Sequence, residues 1–276
     1  MMRSLWTAAS GMRAQQVNVD TIANNVANIN TIGYKTQQAS FKSLLYQNLQ
    51  STSTNNAGEN KPVAAEVGLG SRVAAITGTF TQGNLTHVEN PFSVALEGDG
   101  FFQIRTESGE LQYTRDGSFE ISPVTNGNML CTSDGNPVLD AYGNEIILPS
   151  NRVATDLVIN QDGTLAFPDE SGNPAVLTNA NGRPVKFGIY QFNNPAGLSK
   201  EGGNNYSVTA ASGAAVAENG NATVKQTKTH QYYTEASNVD VANEMVNLIV
   251  AQRAYEMNSK AIQASDEMMQ QANNLR

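Results

Sequence analysis

Residues 5–29 read LWTAASGMRAQQVNVDTIANNVANI, and within them Leu5, Ala8, Met12, Gln15, Val19, Ile22, Val26 and Ile29 recur at steps of three and four without a slip. That spacing is the seam of a coiled coil about four heptads long, interrupted in character only by Gln15. Ser4 is placed to cap the start. Asn30 to Gly33 supply the stop, with Gly33 suited to a left-handed position beyond the last turn. At 1.5 Å per residue such a helix runs roughly 40 Å.

The far end repeats the pattern. Val241, Leu248, Tyr255, Ile262 and Met269 are seven apart, and Ala254, Ala261, Met268 and Leu275 form a second seven-step row beside them. Ser237 or Asp240 can cap this helix, and neither Pro nor Gly interrupts residues 238–276. Residues 1–50 carry Arg3, Arg13, Lys35 and Lys42 against Asp20 alone, whereas residues 236–276 carry five acidic side chains against three basic ones. The two ends are weakly complementary in charge. Helices this rich in small residues and Asn bury little surface and nucleate at a cost, so neighbouring copies, not one chain alone, are expected to stabilise them.

The middle has a different period. Phe92, Val94 and Leu96 alternate with polar residues, and Phe102 with Ile104, Leu111 with Tyr113 and Phe119 with Ile121 continue the period of two. Asp116-Gly117, Asn126-Gly127, Asp134-Gly135, Asp162-Gly163 and Asn181-Gly182 suit tight hairpins that need positive φ. The fold class is α+β. A discontinuous helical domain forms from residues 1–46 and 236–276, an irregular antiparallel β domain at 70–235 is inserted between its halves, and a Ser/Thr/Asn-rich extended segment spans 47–69.

Composition narrows the function. Of 276 residues only 15% are charged, where soluble domains run near a quarter. Asn and Gln supply roughly one residue in six, so the surface is polar through amides and hydroxyls. A net charge of -8 and a pI near 4.8 repel phosphate backbones and anionic lipid, which argues against nucleic-acid or membrane-surface binding. Cys131 has no partner for an intrachain disulfide and reads as a small apolar filler. No signal-peptide core and no membrane-length apolar run is present, so the expectation is a cytoplasmic chain or one exported without a cleaved signal.

Catalytic and metal-binding patterns are weak throughout. His87 and His230 lie far from each other and from any zinc-ligand spacing, and His87 reads as an exposed strand residue. Gly68-Leu-Gly70 and Gly98-Asp-Gly100 lack the third glycine and helix of a dinucleotide loop. Asn160-Gln-Asp162-Gly163 misplaces the glycine of a calcium loop. Glu97 and Asp99 are a carboxylate pair of the kind glycoside hydrolysis uses, but any acidic β protein offers such pairs. The Asn-x-Ser/Thr triplets at Asn84, Asn205 and Asn221 are what this composition yields by chance. No enzyme activity, cofactor or metal is expected, and an acidic β-domain hydrolase or carbohydrate binder stays as the remote alternative.

Residues 21–35, TIANNVANINTIGYK, resemble the N-terminal signature of the bacterial flagellar rod and hook proteins, matching its positions with Asn25, Asn28, Asn30, Thr31, Gly33, Tyr34 and Lys35. Residues 98–119 and 237–268 resemble the β segment and C-terminal helix of that family, in the same order. SLWTAASGM near the start, FKSLLYQNLQ at 41–50 and VGLGSRV at 67–73 are similar to its distal-rod members. A hook or proximal-rod paralogue is the alternative. Around Cys131 the stretch 121–135 is a little longer than is usual in the family.

The resemblance implies a subunit that stacks into a hollow helical homopolymer, a drive shaft passing torque from motor to hook. Leu5, Met12, Val19, Ile22, Val26, Leu248, Tyr255, Ile262 and Met269 would form the polymer-contact seam. Its implied partners are copies of itself, proximal rod and hook proteins, ring proteins around the rod, and the flagellar type III export apparatus. The implied location is the basal-body rod crossing the cell envelope. Phe41, Leu44 and Leu45 are similar to the short hydrophobic motif read at the export gate, although the same residues fit one amphipathic helical turn equally well.

Overall fold

The computed structural model describes residues 2–50, 65–125, 127–150, 152–168, 174–179, 182–220 and 224–274. Part of the 47–69 segment, Asn126, Asn181, Asn221 and Leu275 lie outside them. The chain is α+β: helix α1 (Met2–Ala27) and helix α2 (Val241–Asn274) bracket a β-rich middle. It divides into two compact units, one of Met1–Ala27, Gln37–Gly78 and Asp240–Arg276, the other of Asn28–Thr36 and Thr79–Val239.

In the first unit α1 and α2 pack against each other in antiparallel fashion. Ser4 Oγ lies 3.3 Å from Ser265 Oγ, and Asn25 Nδ2 donates to Glu244 Oε1 at 3.2 Å. Between these points a Cβ on Gly11 would stand 2.9 Å from Asn258 Nδ2. These contacts fall one and two heptads apart on both helices, so a single register holds along the pair. Small and polar residues occupy the tightest positions, which lets the helix axes approach closely. Asp240 caps α2: its Oδ1 accepts from Ala242 N–H at 3.0 Å, and its backbone carbonyl accepts from Glu244 N–H.

The rest of this unit is a two-stranded ribbon. Strand β1 (Gln37–Ser43) pairs antiparallel with β4 (Ser71–Gly78), and β2 (Tyr46–Gln50) with β3 (Ala65–Gly68). Leu44 N–H donating to Gly70 O and Leu69 N–H donating to Leu45 O join the two ladders. These strands pair because their backbone groups satisfy one another, without a buried face. The ribbon meets α1 at Gly70, where an added Cβ would fall 2.0 Å from Ser10 Oγ.

The second unit is built on a six-stranded sheet ordered Ser199–Gly202, Asn205–Ser207, Leu111–Thr114, Phe101–Arg105, Ile189–Gln191, Val216–Ala217. Alternation along Phe101–Arg105 serves two cores. Phe102 and Ile104 join Val94, Phe119, Leu130 and Phe187 in the larger one, while Phe101 joins Tyr113, Phe192 and Tyr206 in the smaller. Leu111 opens its strand half exposed, whereas Tyr113 is buried. Gly135 and Gly163 take φ of +83° and +78°, as Asp-Gly turns require. Gly117 differs: its φ is not positive, and glycine is needed because a Cβ would collide with the Val94 carbonyl oxygen at 1.7 Å.

Candidate assembly surface

Each unit contributes one set of residues that the sequence singled out. In the helical unit, Asn25 is fully buried and joins three segments. Its Oδ1 accepts from Gln37 N–H at 2.9 Å, and its Nδ2 donates to Gln37 O at 2.8 Å and to Glu244 Oε1. The end of α1, the start of β1 and the first turn of α2 are thereby fixed to one amide. Burial pushes the Glu244 carboxyl above its ordinary value, the Asn25 bond opposes this, and nearby Asp240 adds to it.

Ile22 is buried, and Leu5, Met12, Val19, Val26, Leu248, Ile262 and Met269 are half-buried. Leu248, Tyr255, Ile262 and Met269 lie one turn from Glu244, Ala251, Asn258 and Ser265, on the side of α2 turned toward α1. Tyr255 keeps much of its ring exposed, and Val241 is exposed. A different row is left open on α2: Val246, Val250, Met257 and Met268 are all at least half exposed.

In the β unit, the remainder of the signature is a clasp. Asn28 Oδ1 accepts from Thr31 Oγ1, and Asn204 Nδ2 donates to Ile32 O. Gly33 adopts φ +69°, donates its N–H to Glu235 O, and approaches the Arg115 backbone so closely that a Cβ would stand 2.9 Å from it. Asn30 is exposed and Tyr34 is buried. Lys35 Nζ then reaches Glu235 Oε1 at 2.5 Å and donates to Thr81 O at 2.8 Å.

Glu235 is the hub of this cluster. Its Oε2 accepts from the Arg115 guanidinium at 3.2 Å and its Oε1 also accepts from Gly83 N–H. Burial pulls the Lys35 ammonium below its ordinary pKa, Glu235 opposes that shift, and Arg115 reinforces it. Beside the cluster, Asn238 Oδ1 accepts from both the amide and hydroxyl of Thr36, and Asn238 Nδ2 donates to Thr79 O and Thr81 O. The segment entering this unit is thus tied to the segment leaving it. Sequence reading found Lys35 and Gly33 but missed Glu235, Arg115 and Asn238, since nothing in the spacing links residues so far apart.

Phe41 lies on β1, opposite Val73, and not in a helical turn. Leu45 is 82% exposed and Phe41 39%, with Leu44 half-buried. His87 stands exposed on the strand Leu85–His87, stacked near Tyr232, and His230 pairs with Glu97 at 2.7 Å. Among the described residues no group of three His, Cys, Asp or Glu is arranged to hold a metal, and no helix is long and apolar enough to cross a membrane.

Comparison with known proteins accounts for this division. Residues 5–35, 95–167 and 230–275 match families described in turn as flagella basal body rod protein, flagellar hook protein FlgE/F/G D1 domain, and flagellar basal body rod FlgEFG protein C-terminal. The chain is 43% identical to the flagellar basal-body rod protein FlgG of Borreliella burgdorferi, over 100% of this chain and 99% of that one. It is 38% identical to the FlgG of Caulobacter vibrioides and 34% identical to that of Bacillus subtilis, each over the full length of both chains. Likeness at this level from the first helix to the last makes the protein a member of the flagellar basal-body rod family, a structural subunit of the flagellar rod.

Proposed function

We propose that the protein forms the distal segment of the rod, polymerising helically into a hollow shaft that carries torque from motor to hook. The observation that carries this reading is the helical unit: two terminal helices locked together by small and polar residues, with a row of large apolar residues still uncovered. A solitary subunit gains nothing from that exposure, whereas a repeated one buries it at every contact. Low surface charge supports the same reading, because a repeated subunit multiplies its own repulsion.

In this proposal residues 1–46 and 236–276 act as the coiled-coil helical domain, 47–69 as an extended stiffening segment and 70–235 as the β-rich domain. The seam from Leu5 to Val26 and from Leu248 to Met269 aligns the helices for contact with other copies. The neighbours along the shaft are proximal rod and hook proteins, with ring proteins around it. Delivery runs through the flagellar type III export apparatus without a cleaved signal, and Phe41, Leu44 and Leu45 are presented to it before folding.

The test is an epitope inserted in the exposed strand Pro174–Val176 of the chromosomal copy, followed by immunoelectron microscopy of isolated basal bodies. Label confined to the rod beneath the hook is the expected result. Label on the hook, or retention of the protein in the cytoplasm of a motile cell, would sink it.

A further inference from the structure

α2 carries two heptad rows, and only one meets α1. The second consists of Val250, Ala254, Met257, Ala261, Ala264 and Met268, at steps of four and three. It lies roughly 110° around the helix from the α1-facing row. Val250 is 62% exposed, Met257 65% and Met268 50%, and Ala261 and Ala264 are exposed as well, with only Ala254 half-buried, so the row is largely open. Steps of four and three are the geometry of knobs entering holes on another helix, which specifies a helical contact over a sheet edge.

The same unit holds a groove of about 730 Å³ between α1 and the ribbon, lined by Trp6, Ala9, Val17, Leu44, Leu69 and Val73. Its positions on α1 also step by three and four, and they lie roughly half a turn from the face that α2 covers. The chain's own α2 therefore cannot fill it. The lengths agree: Val250 to Met268 spans roughly 27 Å of helix and Trp6 to Asp20 roughly 21 Å. So do the charges. Apart from Glu244, which is buried against α1, α2 carries Glu256, Asp266 and Glu267 against Arg253 and Lys260, while α1 and the ribbon strands carry Arg3, Arg13, Lys42 and Arg72 against Asp20 and Glu66. Arg13 and Arg72 stand in the groove itself, with Asp20 at its far end, so the groove carries a net positive charge.

We propose that the outer heptad row of α2 from one copy seats in the α1–ribbon groove of a second copy. This rests on the polymer reading above and adds its contact. The two surfaces are different patches on different sides of one unit, so each copy offers one and fills another, and the contact is head-to-tail, the kind that builds the polymer proposed above.

The test uses the full chain with Cys131→Ala, so that introduced cysteines are the sole ones. Leu69→Cys and Val250→Cys proteins are prepared separately, mixed, assembled and treated with a short bis-maleimide, and Trp6→Cys with Met257→Cys serves as a second pair. Cross-linked dimer in the mixed assemblies and none in either protein assembled alone is the expected result. Polymer of normal shape with no cross-link in either mixture overturns the proposed contact and leaves the rod reading standing. Self-linkage of Val250→Cys overturns it as well, since the row would then meet its like. A parent chain that forms no polymer at any concentration overturns both.

Discussion

Lys35 Nζ lies 2.5 Å from Glu235 Oε1, and both side chains are wholly withdrawn from solvent. Arg115 shares the same carboxylate, so Glu235 neutralises two buried cations that arrive from different parts of the β unit. Glu235→Gln leaves both uncompensated and should cost about 3–5 kcal/mol, the usual loss when one partner of a buried pair is removed. Lys35→Met should cost less, because Arg115 still pairs with the carboxylate. Urea unfolding of the full chain, followed by tyrosine near-UV dichroism, reads the difference. An unchanged midpoint for Glu235→Gln would show that the cluster adds no stability.

Alkaline stability should fall through the buried tyrosines, Tyr206 foremost, since burial also raises the Tyr113 and Tyr190 hydroxyls. Burial against Phe80 and Phe101 pushes the Tyr206 hydroxyl up from 10 to about 12. The unfolded chain releases this proton near pH 10 and the folded chain near pH 12, so stability drains away across that window. Two pH units correspond to about 3 kcal/mol. Tyr206→Phe should match the parent at pH 8 and exceed it progressively above pH 10. Parallel stability curves for the two proteins at all pH values would refute the assignment.

Glu244 titrates in the same sense, but at acid pH. Its folded-state carboxyl holds a proton more tightly than the unfolded one, so the helical unit gains stability as pH falls through the interval between the raised value and the ordinary 4.5. Glu244→Gln keeps an oxygen to accept from Asn25 Nδ2 and removes the charge. The variant should be more stable than the parent at neutral pH and lack the acid-side gain. Emission of Trp6, the sole tryptophan and a residue of α1, reports this unit alone.

The two helices were legible because their apolar spacing persists for many turns. The tightest contacts between them were not. Gly11, Ser4, Asn25, Glu244, Asn258 and Ser265 make the closest contacts, and a reading tuned to bulk apolar residues passes over them. Ala254, Ala261 and Met268, equally regular in sequence, stand on the outer side. The ribbon escaped for a related reason: Phe41, Lys42 and Ser43 are exposed on successive positions, so no buried face imprints a period of two. Gly33 was readable from the turn it closes. Lys35 lay in the signature, but its partner sits two hundred residues away, and no local pattern records it.

Phe41 offers a separation of folding from delivery. Its ring is partly exposed on a two-stranded ribbon, so Phe41→Ala removes little buried surface and should leave the folded helical unit intact. Secretion through the export apparatus, measured in culture supernatant against total protein, should nonetheless drop, and Leu44→Ala should act alike. Normal secretion of both variants would discredit the motif and favour a purely structural role for these residues.

Leu248 tests the dependence of assembly on the helical unit. It sits one turn beyond Glu244 and one turn before Ala251, half-buried on the side turned toward α1. Leu248→Asp places a second carboxylate four residues from Glu244, where like charges repel. It also moves that charge into a position with little water, at a cost of several kcal/mol. The register that sets Ser4 against Ser265 and Asn25 against Glu244 should then fail, and the outer row of α2 with it. The aspartate variant should sediment as monomer at concentrations where the parent forms filaments. Most of its tyrosine near-UV dichroism should stay, because only Tyr46 and Tyr255 belong to the helical unit and the β unit draws its core from other residues. Leu248→Met, which keeps volume and apolarity, should still assemble. Filaments from the aspartate protein would mean that the α1–α2 pairing is dispensable for polymer contacts, whereas lost dichroism would mean that the two units fold as one.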